Sequence, residues 1–143
     1  MVGILFALLA GAAMSFQGVM NTRLSDEAGL LEANLFVQGT AFALSLVAVL
    51  AVGGGNLSAV VKPDWIYRMG GALGLVITIT VMVAVKNLSA SVAVPVILIA
   101  QLAVAAMIDA FGWLGQERVV FGWNKYVGLA VMTGGVLLFK MKF

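Results

Sequence analysis

Apolar residues fill five stretches of this chain, and short polar runs separate them. The stretches cover residues 2–21, 30–52, 69–85, 91–114 and 123–139. Each falls in the range of about 17–25 residues that a membrane-crossing helix needs. The pattern predicts an all-α, polytopic membrane protein: five transmembrane helices in one domain over residues 1–143. The 91–114 stretch sets the frame. It carries Gln101 and Asp109, eight residues apart with Ala105 midway, so all three share one helix face. A carboxylate in a membrane helix is costly unless it faces protein or water, or reaches the headgroups from near a helix end. This helix therefore has a lipid side and a side that must be covered.

The interruptions within the other stretches are patterned too. Gly3, Ala7, Gly11 and Ser15 recur every four residues, a small-residue stripe of the kind that lets membrane helices pack closely. Gln17 and Asn21 share a second face of the same helix, and Asn34 and Gln38 share one face of the next. The run from Thr22 to Gly29, with Arg23, Ser25, Asp26 and Glu27, predicts a short solvated loop. That loop places the four amides at one depth and suggests a polar cavity. Glu32 suits the first turn of the second helix.

Gly53-Gly54-Gly55-Asn56 ends that helix and lacks the spacing of a phosphate loop. Trp65 and Tyr67, in the longest loop, read as an interfacial anchor. Gly70, Gly74 and Thr78 predict a second packing face, and Gly128, Gly134 and Gly135 a third. Ser89 or Ser91 is placed to cap the fourth helix, and Pro95 to bend its first turns.

Composition confirms the solvent. The chain is 63% hydrophobic and 10% charged, with a mean hydropathy of +1.13. Soluble domains carry about 25% charged residues. The net charge of +2 forms no basic stripe, which argues against nucleic acid. There is no Cys and no His. That removes disulfides, thiol chemistry, zinc sites and imidazole acid–base catalysis. No enzyme activity, cofactor or metal is expected. No Lys or Arg precedes the first apolar run, so it reads as a retained helix rather than a cleaved signal.

Five spans would put Lys62, Arg68, Arg118 and Lys125 on one side of the membrane, and Arg23, Lys86, Lys140 and Lys142 on the other. The positive-inside rule needs a bias, and these charges balance. Insertion in both orientations follows as an expectation. Two opposed copies would then pair about a two-fold axis in the membrane plane, the symmetry of inverted-repeat transporters.

Gly11, Ser15, Gln17, Asn21 and Leu24, followed by a small polar loop, resemble the opening signature of the YdcZ family. Trp65 with Gly70-Gly71-x-x-Gly74 resembles that family's entry to its third helix. Gln101-Leu102, Ile108-Asp109, Phe111-Gly112 and Gly115 resemble its most distinctive run, and Gly128 with Gly134-Gly135 fits its close. Ala100 departs from the pattern, since the family commonly has Gly before the glutamine. The first helix also lacks the glutamate that small multidrug exporters use for proton coupling. The resemblance implies a small bacterial inner-membrane, multi-pass protein of the drug/metabolite transporter superfamily. It implies a five-helix half that works as an antiparallel homodimer or with a homologous sister chain.

The expected function is secondary transport of a small organic solute or ion by alternating access. Ser15, Gln17, Asn21, Asn34, Gln38 and Gln101 are the candidate substrate-binding residues. Asp109 is a candidate for coupling, or for a structural ion pair with Lys125 or Arg118. The expected partners are membrane lipid, the solute and a second chain. A passive small-ion channel of dual topology, or a non-transporting scaffold subunit, are the alternatives.

Overall fold

The computed structural model describes residues 1–119 and 122–140. Lys142, one of the charges in the balance above, lies outside them. The described chain is helical. Residues Met1–Asn87 form one compact unit, and a second begins at Leu88.

In the first unit, α1 runs Val2–Ala28 and α2 runs Leu30–Val52. Gly29 alone joins them, at φ 97°, ψ 156°, a region essentially restricted to glycine. Its N–H donates to the Ser25 carbonyl at 3.1 Å, and its carbonyl accepts from Ala33 at 3.0 Å. The run 22–28, expected as a loop, is therefore helical. The physical reason lies in its hydroxyls. Thr22 Oγ1 donates to the Gly18 carbonyl at 2.7 Å, and Ser25 Oγ to the Thr22 carbonyl at 2.7 Å. Both side chains are satisfied inside the helix, so they do not unwind it.

After α2 the chain makes two short 3₁₀ turns, Leu57–Val61 and Trp65–Met69, before α3 at Gly70–Leu88. Asn56 caps the first turn, its side chain accepting from the Ser58 N–H at 3.0 Å. Helix α3 lies along α1. A Cβ on Gly18 would stand 3.2 Å from Val81 Cγ1 and 3.8 Å from Val85 Cγ2. One turn on, Thr22 Oγ1 is 3.5 Å from the Met82 carbonyl. A further turn on, Asp26 pairs with Lys86 at 2.7 Å. Residue numbers rise together on both helices, so α1 and α3 run parallel along this seam. Gln38 Nε2 donates to Thr78 Oγ1 at 3.5 Å and ties α2 to α3.

Of the expected packing stripes, that of α3 meets α2 at Gly74, where a Cβ would stand 3.8 Å from Gln38 Nε2, and at Thr78. A Cβ on Gly3, Gly11, Gly70, Gly128, Gly134 or Gly135 would meet nothing within 4 Å. Among the described residues the buried positions of α1 are Gly18, Asn21, Thr22 and Ser25, which continue the same helix face toward its C-terminal end. The earlier stripe lies on the half of α1 away from that contact.

The second unit holds α4 (Ala90–Phe111) packed on α5 (Trp123–Lys140). Ser89 takes the N-cap position of α4 at φ 68°, without a side-chain cap bond. Its hydroxyl lies 3.2 Å from that of Ser91 instead. Pro95 sits in the second turn, and the helix continues through it. Gly112, left-handed at φ 66°, ψ 36°, ends α4, so the helix stops short of the expected Leu114. The following chain folds back over this end. Val119 N–H donates to the Asp109 carbonyl at 3.0 Å, and Arg118 Nε to the Phe111 carbonyl at 3.4 Å. Carbonyls that the helix leaves unpaired are thereby satisfied.

Four helical segments among the described residues are long and apolar enough to cross a membrane: Val2–Ala28, Leu30–Val52, Trp65–Leu88 and Ala90–Phe111. The fifth helix, α5, opens on Trp123-Asn124-Lys125 and ends at Lys140, which dilutes its apolar character.

Candidate functional site

Burial in this chain is inverted relative to a soluble protein. Among the described residues the buried apolar side chains are few: Ala33, Met82, Val85 and Ala93. Large apolar side chains such as Phe6, Leu9, Phe16, Phe36, Phe42 and Leu50 are exposed along α1 and α2. A protein that presents this much apolar surface has hydrocarbon as its solvent.

Among the described residues the buried polar ones are Asn21, Thr22, Ser25 and Asn34. They gather at the α1–α2 turn. Thr22 and Ser25 lie one to two turns before Gly29, Asn21 just beyond them, and Asn34 a turn and a half after it. At about 1.5 Å per residue all four fall within roughly 6 Å of one another in depth. Asn34 is 5% exposed, and its Oδ1 is buried with no hydrogen-bond partner. An unpaired buried amide oxygen in a natural protein calls for a cause. The seam of α1 with α3 borders this layer: Met82 packs at Thr22, and the Asp26–Lys86 pair stands at its outer end.

The candidate residues divide accordingly. Asn21 and Asn34 are buried in the layer. Gln38, half-buried, lies at about the depth of Asn21 and is held by Thr78, whose own hydroxyl donates to the Gly74 carbonyl at 2.8 Å. Ser15 is half-buried nearly two turns before Asn21 on α1, and its hydroxyl donates to the Gly11 carbonyl at 3.1 Å. Gln17 and Gln101 are exposed.

Sequence reasoning missed Thr22 and Ser25 because the run containing them read as a loop. The signal was present: Gly18, Asn21, Thr22 and Ser25 follow the i, i+3, i+4, i+7 spacing of one helix face.

A second feature lies within the α4–α5 unit. A groove of about 330 Å³ is lined by Leu102, Ala105, Asp109, Lys125, Leu129 and Met132, among others. Asp109 is half-buried there and shares the groove with Lys125. Arg118, the other candidate partner, is turned toward the end of α4, where it bonds the Phe111 carbonyl.

Long apolar helices, outward apolar side chains and a buried polar layer together define a small multi-pass membrane protein of the all-helical class. The chain belongs to the YdcZ family. The model of that family, described as "Putative inner membrane exporter, YdcZ", matches residues 2–138. No curated protein and no solved structure matches it.

Proposed function

We propose that this chain is one half of a secondary transporter that moves a small solute across the inner membrane by alternating access. One observation carries the reading: the first unit buries Asn21, Thr22, Ser25 and Asn34 while exposing its large apolar side chains. Polar groups at membrane depth are costly, and those in spans mark solute paths by default. The family description adds the direction, outward.

In this proposal all five helices cross the bilayer, as in the drug/metabolite transporter superfamily. Two copies in opposite orientations, or one copy and a sister chain, enclose the path. Asn21 and Asn34 form its centre, and Ser15, Gln17, Gln38 and Gln101 line its approaches. Asp109 carries coupling, or anchors α5 through Lys125. The nearly balanced charges favour the antiparallel arrangement.

Proteoliposomes loaded with a panel of small solutes test this. A transporter gives efflux that saturates and is accelerated by the same solute outside. Asn21→Leu should abolish that flux while leaving the protein assembled. Flux that rises linearly with concentration would identify a channel. No flux for any solute, with a stable larger partner on purification, would identify a scaffold subunit.

A further inference from the structure

The groove between α4 and α5 is charged at one end and apolar along the rest. Asp109 stands in the last turn of α4 and Lys125 in the first turn of α5, and both line it. Leu102 and Met132 line it roughly 10 Å further along their helices, at about 1.5 Å per residue. Between the two ends the lining is small: Ala105, Ala106 and Gly128. A Cβ on Gly128 would meet nothing within 4 Å, so the trough is open there.

Helix α4 is long and apolar enough to cross the bilayer, which sets its last turn at a membrane surface. Trp113, Trp123 and Tyr126 stand at the same end and are exposed, and such rings settle among headgroups. The groove therefore starts at headgroup level and runs into hydrocarbon. One leaflet's share of a core of about 30 Å is roughly 15 Å, so the groove follows most of one leaflet. We propose that it seats one phospholipid with an ethanolamine headgroup. The ammonium meets Asp109, the phosphate meets Lys125, and an acyl chain lies over Ala105, Ala106 and Gly128. An ethanolamine ammonium brings three N–H donors to the carboxylate, and such charge-assisted bonds are strong. A choline headgroup has no N–H, and a glycerol headgroup brings no cation to Asp109. An apolar helix laid in the groove would leave both charges against hydrocarbon, which is costly. The proposal rests on α4 crossing the membrane and not on transport.

Headgroup selectivity tests this. The purified full-length protein in nonionic detergent is titrated with phosphatidylethanolamine, phosphatidylcholine or phosphatidylglycerol of identical acyl chains. Native mass spectrometry counts the lipid bound per chain. Wild type should take up one phosphatidylethanolamine at about tenfold lower concentration than either of the others, the effect of one hydrogen bond between charged groups. Asp109→Asn should erase that preference. Ala105→Leu keeps both charges and fills the trough, so it should weaken all three lipids together. A purely structural Asp109 would change how much protein folds and not which headgroup it selects. If Asp109→Asn does not fold, Lys125→Gln serves in its place and should weaken all three lipids by losing the phosphate contact.

Equal uptake of the three lipids by wild type overturns the proposal. Tighter uptake of phosphatidylglycerol does so too, since it would mark a cationic surface alone. So does an ethanolamine preference that survives unchanged in Asp109→Asn, or affinities that Ala105→Leu and Lys125→Gln leave at the wild-type values. A second copy seated in the groove would show as dimers without headgroup selectivity, separated by Ala105→Leu, and that result also overturns it.

Discussion

Two residues set the joints of this chain. Gly29 and Ser89 each stand alone between two helices, with φ of 97° and 68° and ψ of 156° at both. Glycine reaches this conformation freely. A residue with a Cβ pays about 1–3 kcal/mol to hold it. Ser89 therefore stores strain that Gly29 does not. Ser89→Gly should stabilise the protein by about 1 kcal/mol, and Gly29→Ala should destabilise it by about 1–3 kcal/mol. Unfolding in mixed micelles measures both. A loss of stability in Ser89→Gly would show that its hydroxyl contact with Ser91 outweighs the strain.

The seam between α1 and α3 has a close end and a charged end. At the close end Gly18 leaves room for Val81 and Val85. Gly18→Leu forces these helices apart and should cost about 1–3 kcal/mol, as overpacking does. At the charged end, Asp26 and Lys86 are 39% and 59% exposed. Lys86→Ala should therefore cost less than about 1 kcal/mol, and less again in high salt. Thermal melts of the two variants at low and high salt give the comparison.

The same elements mark what the sequence discloses. The long helices are legible because nothing but a helix can satisfy its backbone in so apolar a run. The end of α1 is not, because Thr22 and Ser25 resemble turn residues until their hydroxyls are seen bonding within the helix. The place where α1 packs was hidden as well. Gly11, Ser15, Gly18, Thr22 and Ser25 share one face along the helix, and spacing alone does not say where along that face α3 lies. Of the site, the amides Asn21 and Asn34 were legible as costly polar groups at depth. The exposure of Gln17 and Gln101 depends on how the helices are rotated, which periodicity does not fix.

For the molecule as a whole, the inverted burial and the even charge distribution bear on orientation. The absence of cysteine makes that accessible. Val2→Cys and Phe143→Cys, labelled in intact cells with an impermeant thiol reagent, should each react in about half of the molecules if insertion is dual. Reaction at only one terminus would fix a single orientation. A sister chain of opposite orientation would then be required for the antiparallel pair.

The single-residue joint at Gly29 also bears on how the protein is made. It leaves no loop to hold α1 and α2 apart while the chain emerges from the ribosome. A pair of helices joined so tightly, from Val2 to Val52, suits entry into the bilayer as one hairpin, which protease protection of chains arrested before and after Val52 would test. For a hairpin that enters as a unit, orientation is open until α2 is complete, so the charged tip of α1 is weighed against the residues that follow Gly53.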